Sequence, residues 1–161
     1  MDITQDWKKI RRHFNKSFSS NFHISVASVD AENNPTVTPI GSLFLNDNQT
    51  GFYFEKFPKK LPLHAKTNKN VCLLGVNSSR FFWLGALFKE KFSDYPGIKL
   101  YGELGERRLA TEKETKRLNR RMRMTKGLKG NNYLWGKMEY VRDIIFIKAE
   151  MINLGKMTSE L

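Results

Sequence analysis

The chain has 161 residues, with 28 Lys plus Arg against 16 Asp plus Glu, and a formal charge of +12. A composition of 40% hydrophobic and 12% aromatic residues suffices for a core in one domain spanning 1–161, which excludes wholesale disorder. No run approaches the roughly 18–20 apolar residues of a membrane span, and the start MDITQDWKKIRRHF lacks the apolar stretch of a signal peptide, so the expectation is a soluble cytoplasmic protein without a membrane partner.

Residues 5–19 space Trp7, Ile10, Phe14 and Phe18 three and four apart among Lys8, Lys9, Arg11, Arg12 and Lys16, the pattern of an amphipathic helix. Phe22 to Val29 then alternates with period two, and Asp30 to Pro35 supplies turn chemistry, predicting a hairpin. Thr36 to Leu45 reads as the returning strand, interrupted by Pro39 and Gly41, and Gly51 to Glu55 as the third strand of a meander. Two prolines in Phe57 to Pro62 stop any central strand, and the polar stretch to Asn70 predicts a short surface helix. Val71 to Asn77 is a buried strand; Phe81 to Lys91 is too apolar for an ordinary loop and reads as a strand or an interface arm. Ile98 to Leu109 is a strand that Gly102 and Gly105 allow to bend. Thr111 to Met124 is a helix opened by a Thr111–Glu114 capping box and ended by Gly127 and Gly130, and Val141 to Met151 is a last strand covered on both faces. The sum is mainly β: six or seven short antiparallel strands forming a small barrel with outer helices, with no crossover helix of the length a doubly wound sheet needs.

Chemistry has few candidates. Cys72 has no partner for a disulfide, and His13, His23 and His64 lack the spacing of a zinc-binding pair, so no metal is expected. The charge is local: ten cations and two acids between Arg107 and Lys129 make that segment +8. On a helix these cations cover more than half the circumference, which predicts a solvated face; nucleic acid is the alternative partner, since counterion release rewards clustered Arg and Lys. In Pro35 to Phe44, a proline and a glycine two apart weaken any strand ladder, marking either an edge strand or a place where a flat ligand meets the main chain. Lys56, Lys59 and Lys60, stiffened by Phe57 and Pro58, are either surface lysines or a phosphate clamp.

The succession of helix, hairpin, Thr38-Pro39-Ile40-Gly41-Ser42, Gly51 to Glu55, a Lys-Lys loop and Val71 to Asn77 resembles the pyridoxamine 5'-phosphate oxidase-like family of FMN-binding split barrels. The resemblance implies a split β-barrel, a homodimer with FMN at its interface, and flavin-dependent oxidoreductase chemistry on a small molecule. It implies that Thr38, Pro39, Ile40, Gly41 and Ser42 contact the ring system, that Phe54 and Glu55 line the edge near the ribityl chain, and that Lys59 and Lys60, with Lys56 beside them, hold the phosphate. Asn77 is a hydrogen-bonding candidate or simple turn chemistry. Trp83, with Phe81 and Phe82, is core, dimer interface, or a stacking wall over the partner's flavin. A flavin or haem carrier without turnover is a further alternative.

Overall fold

A computed structural model describes residues 1–161. Helix α1 (Trp7–Asn21) buries Trp7, Ile10 and Phe14, as the spacing predicts, and ends at Phe22 in the left-handed region at φ 61°. Strands β1 (Ile24–Val29) and β2 (Pro35–Ile40) form the expected hairpin, whose turn is closed by Asp30 Oδ1 accepting from the amides of Glu32 and Asn34. Strands β3 (Leu43–Leu45), β4 (Thr50–Phe54), β5 (Asn70–Val76), β6 (Gly97–Leu109) and β7 (Tyr140–Met151) complete one antiparallel sheet in the order β2-β1-β5-β6-β7-β4-β3. Helix α2 (Lys60–His64) is the short helix expected before β5.

The meander does not survive. Thr36 to Leu45 is two strands, β2 and β3, and they sit at opposite edges of the sheet with only Gly41 and Ser42 between them. Seven strands laid flat would separate those edges by about 28 Å, whereas the chain from Ile40 to Leu43 spans at most about 10 Å. The sheet must therefore curl until its edges meet at the crossover, which makes it a barrel closed at that point. Bulges between β6 and β7 allow the curl: the register shifts at Tyr101/Gly102 and at Leu104/Arg107. At Gly102 a Cβ would stand 2.4 Å from the Ile145 carbonyl oxygen, so the close approach requires glycine.

Two apolar layers result. Inside the curl, Ile24, Val26, Leu43, Tyr53, Leu73, Leu100 and Ile144 meet the apolar face of α1. On the other face, Phe44, Phe52 and Phe54 are covered by Leu118 of helix α4 (Glu112–Arg121). The capping box that opens α4 is present, and Arg108 makes two-pronged contacts to both Glu114 and Asp143 at 2.7–3.0 Å, tying α4 to β6 and β7.

Three other expectations are corrected. Phe81 to Lys91 is not a strand: it is helix α3 (Arg80–Lys89), whose inner side packs Phe82 and Trp83 on Phe92 while Phe81 and Phe88 stay 88% and 90% exposed. Helix α4 already stops at Arg121, short of Gly127, and Gly130 ends nothing because it lies inside a separate helix, α5 (Lys129–Trp135). The basic helix is also not simply solvated. Arg117 donates to Leu45 O at 2.9 Å and Asn46 Oδ1 at 2.7 Å, and Arg121 donates to Leu43 O at 2.5 Å while lying 3.6 Å from the Phe44 ring. Two arginines four apart on a helix thus satisfy two carbonyls two apart on an edge strand, rises of about 6 Å and about 7 Å that match.

Candidate functional site

The crossover that closes the barrel also makes a cleft of about 320 Å³, lined by Thr38, Pro39, Ile40, Gly41, Ser42 and Phe54 together with Phe57, Pro58, Trp135 and Met138. Its position follows from topology. Because β2 is an edge strand, alternate backbone groups along it face away from β1 and lack a strand partner, and the absence of a side chain at Gly41 lets the Trp135 indole approach the main chain beside them. Ser42 is buried and spends its hydroxyl on Phe54 O at 3.2 Å, which ties the crossover to the end of β4. None of the ten lining side chains titrates near neutrality.

The loop that leaves β4 reaches a second, basic groove of about 660 Å³, in which Lys59, Lys66, Lys69, Arg107 and Arg142 face Glu55 and Glu106. The Glu55 carboxylate is fully engaged, accepting from Arg142 at 2.5 and 3.1 Å and from the Tyr53 hydroxyl at 2.9 Å, with Arg107 at 3.3 Å. Its bonds raise the Arg142 guanidinium above its ordinary range, and burial, followed by the Glu55 charge, raises the Tyr53 hydroxyl. Lys69 pairs with Glu106 at 3.8 Å, which leaves Lys59 and Lys66 as the cations of the groove without a carboxylate partner.

Thr38 to Ser42 and Phe54 are therefore brought together in one cleft, while Glu55 and Lys59 lie in the separate basic groove. Lys60 is exposed at the start of α2 and lines neither. Lys56 points elsewhere, donating at 2.7 Å to the carbonyls of both Tyr133 and Gly136. Asn77 and Trp83 are together but outside the cleft: the Trp83 indole donates to Asn77 O at 2.6 Å, and Asn77 lines a separate groove between α1 and α3. Sequence reasoning missed Phe57, Pro58, Trp135, Met138, Arg107 and Arg142. Only the first two had a local signal, their place in the loop after β4; the others arrive from more than fifty residues away.

No protein-family profile matches the chain, and no curated protein matches its sequence. Solved structures do match its shape. The FMN-binding protein of Syntrophomonas wolfei superposes with a TM-score of 0.61 at 15% identity, over 96% of this chain and 97% of that one. A candidate pyridoxamine 5'-phosphate oxidase from Listeria innocua gives 0.54 at 14% identity, over 91% and 97%. This chain has the split-barrel fold of the pyridoxamine 5'-phosphate oxidase-like proteins. HutZ, the haem storage protein of Vibrio cholerae, shares it with a TM-score of 0.53 at 9% identity, over 94% and 95%. In the present split barrel no histidine lines the cleft: His13 and His64 are buried, the latter 2.9 Å from Ser28 Oγ, and His23 lies exposed just before β1. The cleft thus lacks an imidazole for a haem iron. No helix is long and apolar enough to cross a membrane.

Proposed function

We propose that this split barrel is a cytoplasmic, homodimeric FMN-binding protein and a flavin-dependent oxidoreductase acting on a small molecule. The observation that carries the reading is that the single loop Glu55 to Lys59 runs from an apolar cleft on edge-strand backbone to a groove holding two unpaired lysines. A flavin mononucleotide has that polarity, a flat ring system at one end and a phosphate dianion at the other. The residues fit the group: the backbone of Thr38 to Ser42 would meet the polar edge of the ring, and Phe54, Phe57 and Met138 would exclude water. Lys59 and Lys66, with Arg107 and Arg142 behind them, would hold the phosphate.

Bound FMN supplies hydride or electron transfer. With no titratable side chain in the cleft, the chain itself moves no proton there, which suits hydride or electron transfer better than acid–base chemistry. The purified protein is expected to be yellow and to release FMN on denaturation. Lys59→Ala is expected to weaken FMN binding by about tenfold, the value of one charge-assisted contact. A colourless protein that takes up no added FMN overturns the reading.

A further inference from the structure

The cleft at the crossover has one wall that belongs to neither the sheet nor the loop after β4. Trp135, the last residue of α5, lays its indole against Gly41 so closely that a Cβ on Gly41 would stand 2.9 Å from Trp135 Cη2. Trp135 also lines a second cavity of about 490 Å³, bounded by α4, by the end of β6 at Leu109 and by the loop Gly136 to Glu139 before β7. Trp135 thus lines two cavities at once while packing on the Phe44–Phe54 cluster, unlike Trp7 in the main core and Trp83 hydrogen-bonded beside Asn77.

The segment that carries it is lightly packed, a strap that reaches the apolar cluster of Phe44, Phe52, Phe54, Leu118 and Met138 through Trp135. Helix α5 has no buried residue, and Gly127, at φ 102°, and Gly136 flank it. It is held across the cleft from below by Lys56, whose ammonium bonds the carbonyls of Tyr133 and Gly136, and by Phe57, whose ring lies 5.9 Å from that of Tyr133. A lysine spent on two backbone carbonyls of a distant segment fixes where that segment ends, and so where the indole stands.

We infer that Trp135 is a cofactor-contacting residue: its indole is the face against which the flavin ring system rests, the strap yields into the neighbouring cavity as the ring enters, and Lys56 sets the closed position. The inference rests on the flavin reading and adds to it a residue and a moving part. A large flat π-system is the surface that another flat ring prefers, and an indole in contact with a flavin quenches the emission of both.

FMN titrated into the intact protein, followed by flavin and tryptophan emission, tests this. Wild type is expected to bind FMN with strong mutual quenching. Trp135→Ala is expected to bind roughly three- to tenfold more weakly and to leave the bound flavin markedly brighter, and Trp135→Phe to recover the affinity but not the quenching. Lys56→Met is expected to keep the quenching in the bound state while FMN dissociates faster. If wild type and both Trp135 variants bind FMN with the same affinity and the same flavin emission, the inference is overturned and the flavin reading stands. If wild type takes up no FMN at all, both fall.

Discussion

His13 sits on α1 with its Nε2 2.8 Å from Gly75 O and its Nδ1 buried without a partner, so the ring is neutral and donates from Nε2. Burial holds the imidazole below its ordinary range, against smaller opposing pulls from the Gly75 bond and Asp94. The unfolded chain therefore takes up this proton at higher pH than the folded one does. The stability contributed by the neutral ring is complete above the unfolded value of about 6.5 and is lost progressively as pH falls below it. Urea denaturation is expected to show wild type less stable at pH 5.5 than at pH 7.5, with a smaller loss in His13→Gln; equal losses in the two proteins would refute the assignment. Glu114 marks the contrasting case: burial pushes its carboxyl up, but the Arg108 and Thr111 bonds outweigh it and hold the group below the usual carboxylate range.

Helix α4 shows what a basic element does when its neighbour is a strand edge. Arg117 and Arg121 satisfy the carbonyls of β3 and cover Phe44, while Arg120 is exposed between them. Burial, and then the nearby Arg117 charge, push the Arg121 guanidinium down to about 10, still charged at neutral pH. Removing it strands the Leu43 carbonyl and uncovers an aromatic ring. Arg121→Ala is accordingly expected to cost about 2 kcal/mol, and Arg120→Ala to stay within about 0.5 kcal/mol. Chemical denaturation of the two variants decides, and equal costs would return α4 to the status of a solvated face. The periodicity of the segment announced the helix and its cap, but a helical wheel of alternating cations carries no mark of which ones a strand edge will claim.

For the molecule as a whole, the crossover at Gly41–Ser42 and the bulges of β6 and β7 set the curvature, and the curvature sets the cleft. Outside the barrel, α3 leaves Phe81, Leu84, Leu87 and Phe88 exposed on one short helix, an apolar surface that a second copy would cover. Sedimentation is expected to give twice the 18.8 kDa mass of the chain, and Phe81→Asp combined with Phe88→Asp to give the monomer. A wild-type monomer, or a dimer indifferent to both changes, would remove α3 from the interface.

The amino-acid sequence by itself determined the local events: α1 from its apolar spacing, the first hairpin from its turn residues, the cap of α4 from Thr111 and Glu114, and the oddity of Pro39 and Gly41. Each of these depends on residues within a turn or two of one another. It could not reveal that Thr36 to Leu45 passes between the two edges of a sheet, because the partner of a strand is chosen by burial across the whole chain and not by its neighbours. The apolar run at Phe81 illustrates the same limit, since a stretch of aromatics satisfies a helix face or a strand equally well. Only the tertiary structure brought Arg107 and Arg142 beside Lys59, set Trp135 against Gly41, and divided the Lys56, Lys59, Lys60 group into an anchor for α5, a groove cation and an exposed residue that lines neither cavity. Those assignments come from the curl of the sheet, in which residues a hundred positions apart become neighbours.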